Sequence, residues 1–242
     1  MWSKVLFIFV LAGIGRGDGP KQLSVTVLYE SKCPDSRSFV LRQLQQAMVL
    51  LRDQVQLTLV PFGKADSVDS GYGGFQCQHG PPECQGNIVQ DCALSLMANR
   101  DDLEKTAYVA CEMSTLAGTE GSLMCVQKAN VSSAAVSECI SSGRGTLLQL
   151  HSERVTKQYR PKFIPTVIIN GVFNQHIQDM SQFDLIGTLC ALLRQKGNCA
   201  DIYNNNALQS TLCQSSGCNV RTCAPNATYG DERKNNTIGS II

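Results

Sequence analysis

The run Leu23-Ser24-Val25-Thr26-Val27-Leu28-Tyr29-Glu30-Ser31-Lys32-Cys33-Pro34-Asp35-Ser36 decides how this chain is read. Its first half, Leu23 to Glu30, is rich in β-branched and apolar residues and predicts a strand. From Arg37 to Arg52 the pattern is that of a helix. Cys33 therefore falls at a strand-to-helix junction, with Pro34 suited to the first helical position, where a missing N–H is harmless. A thiol there meets the positive end of the helix dipole, which favours the thiolate. Lys32 and Arg37 should add to that effect and Asp35 should oppose it. Ser36 stands at the end of the run. Its hydroxyl can donate a hydrogen bond to a thiolate but cannot form a disulfide. On position alone Cys33 has two readings: an attacking or partner-trapping thiol, or one half of an inert structural disulfide.

Working outward, Val55 to Phe62 reads as a second strand, with Pro61 marking its end. The two strands and the helix between them predict a βαβ unit with a parallel strand pair. A glycine-rich loop comes next over 63–74, then a mostly helical region over about 76–159. Phe163 to Phe173 returns to strand character, and Asn170-Gly171 predicts a hairpin turn. Ser181 is positioned to cap a final amphipathic helix through Leu193, ending near Gly197. The order strand, helix, strand, helical insertion, hairpin, helix predicts an α/β, thioredoxin-like fold with a helical insertion and a disulfide-pinned C-terminal segment. In such folds a cis-proline precedes the third core strand and packs against the active-site cysteine. Ile164-Pro165-Thr166 stands at that place, so Pro165 is expected in cis beside Cys33.

The 242 residues divide into a signal peptide (1–19), a domain over 20–197 carrying the insertion at about 76–159, a cysteine-rich segment (198–223) and a flexible glycosylated tail (224–242). The signal peptide is read from Lys4, the short apolar run Val5 to Ile14 and the small residues after it. That run is too short to span a bilayer, which takes about 20 apolar residues. With Lys+Arg 21 against Asp+Glu 20 and 6% aromatics, the chain offers no electrostatic or stacking case for nucleic acid or an anionic membrane. Twelve cysteines and the sequons at Asn130, Asn226 and Asn235 place it in an oxidising lumen or outside the cell. If Cys33 is free, the remaining eleven of the twelve cysteines cannot all pair within one chain, which leaves room for a disulfide-linked dimer. His151 and His176 have no evident catalytic partner.

The stretch Cys77-Gln78-His79-Gly80-Pro81-Pro82-Glu83-Cys84-Gln85-Gly86-Asn87, with Cys92 beyond it, also has two readings. Cys77, His79, Cys84 and Cys92 could ligate zinc, or the segment could be a knot of disulfides and turns built on Gly80 and Pro81-Pro82. The spacing and the oxidising compartment favour the knot. The same stretch resembles the signature of the gamma-interferon-inducible lysosomal thiol reductase family, with Cys77, His79, Glu83, Cys84, Asn87 and Cys92 all in place. The resemblance extends over roughly 23–200. It implies a glycosylated thioredoxin-fold protein that reduces protein disulfides in acidic endocytic compartments or after secretion, with an active site of two cysteines two residues apart. Cys33 matches the first and Ser36 stands at the second. Without a resolving thiol the mixed disulfide formed by Cys33 has no local route to release. The sequence therefore leans towards a secreted or lumenal binding or effector protein that has lost dithiol turnover. Its alternative is thiol–disulfide exchange through Cys33 alone, with a small thiol resolving the intermediate. No cofactor, metal, nucleic acid or membrane span is expected, and the partner is an unknown or disulfide-containing protein.

Overall fold

A computed structural model describes residues 22–194. The expected signal peptide, the segment 198–223, the expected tail and the sequons at Asn226 and Asn235 lie outside the described residues.

The core is a mixed sheet. β1 (Leu23–Tyr29) is its central strand, with Leu23, Val25, Val27, Leu28 and Tyr29 buried. Cys33 then precedes α1 (Pro34–Phe39), which runs through a π turn at Val40–Leu44 into α2 (Gln45–Leu51). The helix starts at Pro34, the first helical position expected from the sequence, where the fixed φ of proline suits a first turn. β2 (Val55–Pro61) alternates buried Val55 and Leu57 with exposed Gln56 and Thr58, the pattern of a strand covered on one face. It pairs parallel with β1, Leu23 opposite Val55. A small ribbon comes next, β3 (Asp66–Ser67) against β4 (Phe75–Gln76).

The insertion is α3 (Pro81–Leu96), α4 (Asp102–Thr115), α5 (Met124–Lys128), α6 (Ser133–Ser141) and α7 (Arg144–Tyr159). Pro81-Pro82 does not build a turn in a knot. The pair opens α3, and Glu83, Asn87, Asp91 and Cys92 are buried along that helix. Two disulfides tie the insertion together: Cys92–Cys139 joins α3 to α6, and Cys111–Cys125 joins α4 to α5. Under α3 lies a buried polar group. Asp91 Oδ2 accepts from Gln149 Nε2 (2.7 Å) and Ser152 Oγ (2.8 Å), and Tyr29 donates its hydroxyl to Gln90 Oε1 (2.7 Å). Burial pushes the Asp91 carboxyl up to about 7 against these donors.

β5 (Thr166–Ile169) closes the sheet on the other side of β1, antiparallel, with Leu28 opposite Thr166. The sheet order is β2-β1-β5. The antiparallel register sets the start of β5 beside the end of β1. The Ile164–Pro165 peptide bond just before β5 is cis. The architecture is thioredoxin-like, with the helical insertion between β4 and β5.

Two expectations are corrected after β5. Asn170 (φ 51°) and Gly171 (φ 75°) do make a tight turn, but the returning strand is reduced to one bridge, Ile169 to Val172. The outer edge of β5 is served instead by one side chain. Gln178 of α8 (Gln175–Phe183) accepts from Val167 N–H (2.7 Å) and donates to Pro165 C=O (3.0 Å). A carboxamide carries both a donor and an acceptor and so can stand in for a strand here. Ser181 is not a helix cap either. Asn174 caps α8 through its side chain, Ser181 is buried inside α8, and α9 (Leu185–Arg194) begins after a break at Asp184.

Candidate functional site

Cys33 occupies the N-cap position of α1 in extended conformation, and its C=O accepts the first helical bond from Arg37 N–H (3.0 Å). Its side chain is only 7% exposed and belongs to a core cluster with Leu28, Phe62, Ile164 and Ile168. Its Sγ lies 3.9 Å from the Ile164 carbonyl oxygen, just ahead of the cis-proline. Cys33 is the free cysteine among the described residues, while Cys190 is disulfide-bonded.

Arg37 turns its guanidinium to the Ser114 carbonyl (3.2 Å) at the end of α4, and Lys32 is exposed. Ser36 is fully buried, and its hydroxyl accepts from the Glu30 N–H (3.3 Å). It makes no hydrogen bond to Cys33. The side chain at the resolving position is thus used to fix the backbone between β1 and α1.

The groups that do surround the thiol come from Glu30 and from the signature stretch. Glu30 comes directly after β1 and is fully buried. Its Oε1 accepts from Lys64 N–H (2.8 Å), and its Oε2 lies 3.3 Å from His79 Nδ1. The room for this carboxylate comes from Gly63, at φ +61°, where a Cβ would sit 2.2 Å from Glu30 Cγ. His79 is bound in turn by Glu83, which is also fully buried. One Glu83 oxygen accepts from His79 N–H (3.1 Å), and the other lies 2.6 Å from His79 Nδ1. Donor atoms of Glu30, Cys33 and His79 all lie within 4.8 Å of one another. Burial raises the Glu30 carboxyl and the Lys64 N–H opposes that rise. Glu83 then adds to the rise and His79 offsets it.

The rest of the signature holds this arrangement against α3. Asn87 Oδ1 accepts from Ser31 N–H (2.9 Å), and Ser31 Oγ donates to Glu83 C=O (2.9 Å). A Cβ on Gly86 would meet Ser31 Oγ at 2.5 Å, so this position lets the strand-to-helix loop approach the helix. Cys77 and Cys84 form a disulfide across the turn that carries His79, and Cys92 pairs with Cys139. These bonds remove all three cysteines from the zinc set weighed with His79 in the sequence. The structure therefore brings Cys33, Ser36, Pro165, His79 and Glu83 into one region, with Asn87 and Cys84 as its supports. His151 and His176 are exposed and lie outside it, and Asn130 is exposed with its C=O on Arg100 Nη2 (2.8 Å). Glu30 was not singled out in the sequence. Its only signal is an acid placed directly after the apolar end of a strand, Val27-Leu28-Tyr29.

Among known proteins, residues 24–142 match the family described as gamma interferon inducible lysosomal thiol reductase (GILT). GILT-like protein 1 of Drosophila melanogaster is 31% identical over 185 residues, covering 70% of this chain and 74% of that protein. The gamma-interferon-inducible lysosomal thiol reductase-like protein of Anopheles gambiae is 30% identical, covering 80% of this chain and 87% of its own. Among solved structures, the oxidoreductase NmDsbA1 from N. meningitidis superposes with a TM-score of 0.45 at 12% identity, over 74% of this chain and 88% of that one.

Proposed function

The chain belongs to the gamma-interferon-inducible lysosomal thiol reductase family, and from that premise we propose that it is a single-thiol member, secreted or held in an endosomal or lysosomal lumen. It captures disulfide-containing proteins through Cys33 and depends on an external small thiol for release. The observation that carries this reading is the pair Cys33 and Ser36: a free thiol at a helix N-terminus, and a buried hydroxyl committed to the Glu30 N–H where a resolving thiol would stand.

The chemistry is set by the placement. His79 and Glu30 are basic groups close to the Cys33 thiol, and one of them takes its proton. The thiolate attacks one sulfur of a substrate disulfide. A Cys33–substrate S–S bond forms, the substrate S–S bond breaks, and the second substrate sulfur leaves as a thiolate that is protonated. A small thiol then attacks the Cys33 sulfur and releases the substrate's other thiol. A second small thiol regenerates Cys33, so two small thiols are oxidised to one disulfide per substrate disulfide reduced. Without them the reaction stops at the covalent complex.

A second reading is a binding or effector protein with no exchange at all. The 7% exposure of Cys33 favours it, since a substrate sulfur needs access to the thiol. A turnover assay on a disulfide protein at acidic and neutral pH separates the two. The single-thiol reading expects reduction only when a small thiol is added, loss of it in Cys33→Ser, and reduction without added thiol by reduced Ser36→Cys. Reduction by the unmodified chain without added thiol, beyond one bond per chain, overturns it. Absence of any reaction at Cys33 leaves the binding reading.

A further inference from the structure

We propose that Glu30, Cys33 and His79 form a binding site for a divalent cation of the zinc type. The three residues offer one carboxylate oxygen, one thiolate sulfur and one imidazole nitrogen, all within 4.8 Å of each other. A mixed N/O/S donor set of this kind suits Zn²⁺ and not the hard cations, which take oxygen.

Three further observations point to a ligand. The first is an unsatisfied oxygen. Glu30 is fully buried and pinned through Oε1 by the Lys64 N–H, while its Oε2 is buried with no hydrogen-bond donor. His79 Nδ1 lies 3.3 Å from it, but that nitrogen is engaged with Glu83 at 2.6 Å. A buried carboxylate oxygen left without a partner is costly, and a cation relieves it. The second is the shape of the backbone. Gly63 adopts φ +61° and has no side chain where one would strike Glu30 Cγ at 2.2 Å, so the loop is built around this carboxylate. The third is Glu83 behind the imidazole. A carboxylate that accepts from Nδ1–H leaves the other ring nitrogen with its lone pair and fixes the ring, the arrangement that supports metal-bound histidine.

His79 is the exposed member of the trio, with 30% of its side chain accessible, so the fourth position of a tetrahedral ion would face solvent. Ser36 contributes by what it cannot do: with no cysteine there, Cys33 is not stored as a local disulfide and its sulfur remains available. On binding, the thiol gives up its proton and the ion holds the sulfur, so zinc and a disulfide substrate compete for Cys33.

The test uses the full chain with native disulfides, freed of metal by chelation. Equilibrium dialysis against zinc should give one ion per chain, and cobalt in its place should show the absorption of a cobalt–thiolate bond. Both signals should vanish when Cys33 is alkylated, which needs no substitution, and in Cys33→Ser. Glu30→Gln and His79→Ala should each lose saturation at one ion, and Glu83→Gln should weaken binding about 10–100-fold. His151→Ala should bind as the parent does. A chain that takes up no zinc, or whose zinc and cobalt signals survive alkylation of Cys33, overturns the proposal. Substrate capture by the zinc-free chain is measured separately, so loss of the metal site would leave the thiol-exchange reading standing and the reverse would hold too.

Discussion

The buried carboxyl of Asp91 should make the fold more stable in acid than at neutral pH. Asp91 sits in α3 with one oxygen receiving both Gln149 and Ser152, and burial outweighs these donors to lift its pKa from 3.8 to about 7. The folded state then holds a proton that the unfolded chain releases. This contribution is fully present below about pH 4, falls as pH rises through the interval, and is lost once pH passes about 7. Over the whole interval it amounts to about 4 kcal/mol at most, and between pH 5 and pH 7 to about 2 kcal/mol. Glu30 and Glu112 are also raised, first by burial, and act in the same direction. Glu153 runs the other way. Its burial is outweighed by Lys157 and Ser67, which hold it low, so its contribution is lost on acidification. The perturbation is Asp91→Asn, which keeps an acceptor for Gln149 and Ser152 and removes the titration. Denaturant unfolding with disulfides intact, measured at pH 5 and pH 7.5, should show the parent losing stability towards pH 7.5. The variant should lose less, by about 2–3 kcal/mol. A parent whose midpoint is level or rises between those values, or a variant with the same slope, would refute the reasoning.

Gly63→Ala adds a Cβ at a φ of +61° and against Glu30, so it should cost about 2–5 kcal/mol by chemical denaturation and lower the reactivity of Cys33 towards alkylation. Removing Cys92–Cys139, which closes a separation of 47 residues, should cost about 4 kcal/mol against about 2 kcal/mol for Cys77–Cys84 with its separation of 7, read from the midpoints of the paired Cys→Ala variants. Gln178→Ala leaves the Val167 N–H and the Pro165 C=O without their partner and should cost about 2–4 kcal/mol, with faster amide exchange at Val167 as its local signature.

How far the sequence could be read depended on where each signal came from. β1, α1 and β2 were legible because β-branched runs, a proline at the first helical position and the helical spacing between them all agree. The element order led to the thioredoxin-like fold for the same reason. The strand expected after Asn170-Gly171 failed because a turn signal fixes only the turn. A returning strand also needs a free edge on β5, and Gln178 serves that edge from a helix further along the chain. Ser181 carries a capping residue type, yet it lies inside α8, which Asn174 caps, and at the start of α9 it is Asp184 Oδ1 that accepts from the Gly187 N–H. Pro81-Pro82 looked like a turn because prolines end helices, but at the first positions they begin one. At the site, Cys33 and the signature were legible by spacing. Glu30 was not, because an acid at the end of a strand is ordinarily solvated. Its burial is made by Gly63, Lys64 and His79, which local pattern cannot bring together.

The most direct test of single-thiol capture is intact-mass analysis of the chain after it meets a disulfide-bonded peptide, quenched in acid, with Cys33→Ser in parallel. One covalent peptide adduct per chain is predicted, mapped to Cys33 and absent from the variant. The adduct should persist until a small thiol is added and then resolve to free Cys33. Reduced peptide accumulating without an adduct or added thiol, or a Cys33 that is already bridged within the chain and takes no peptide, would contradict it.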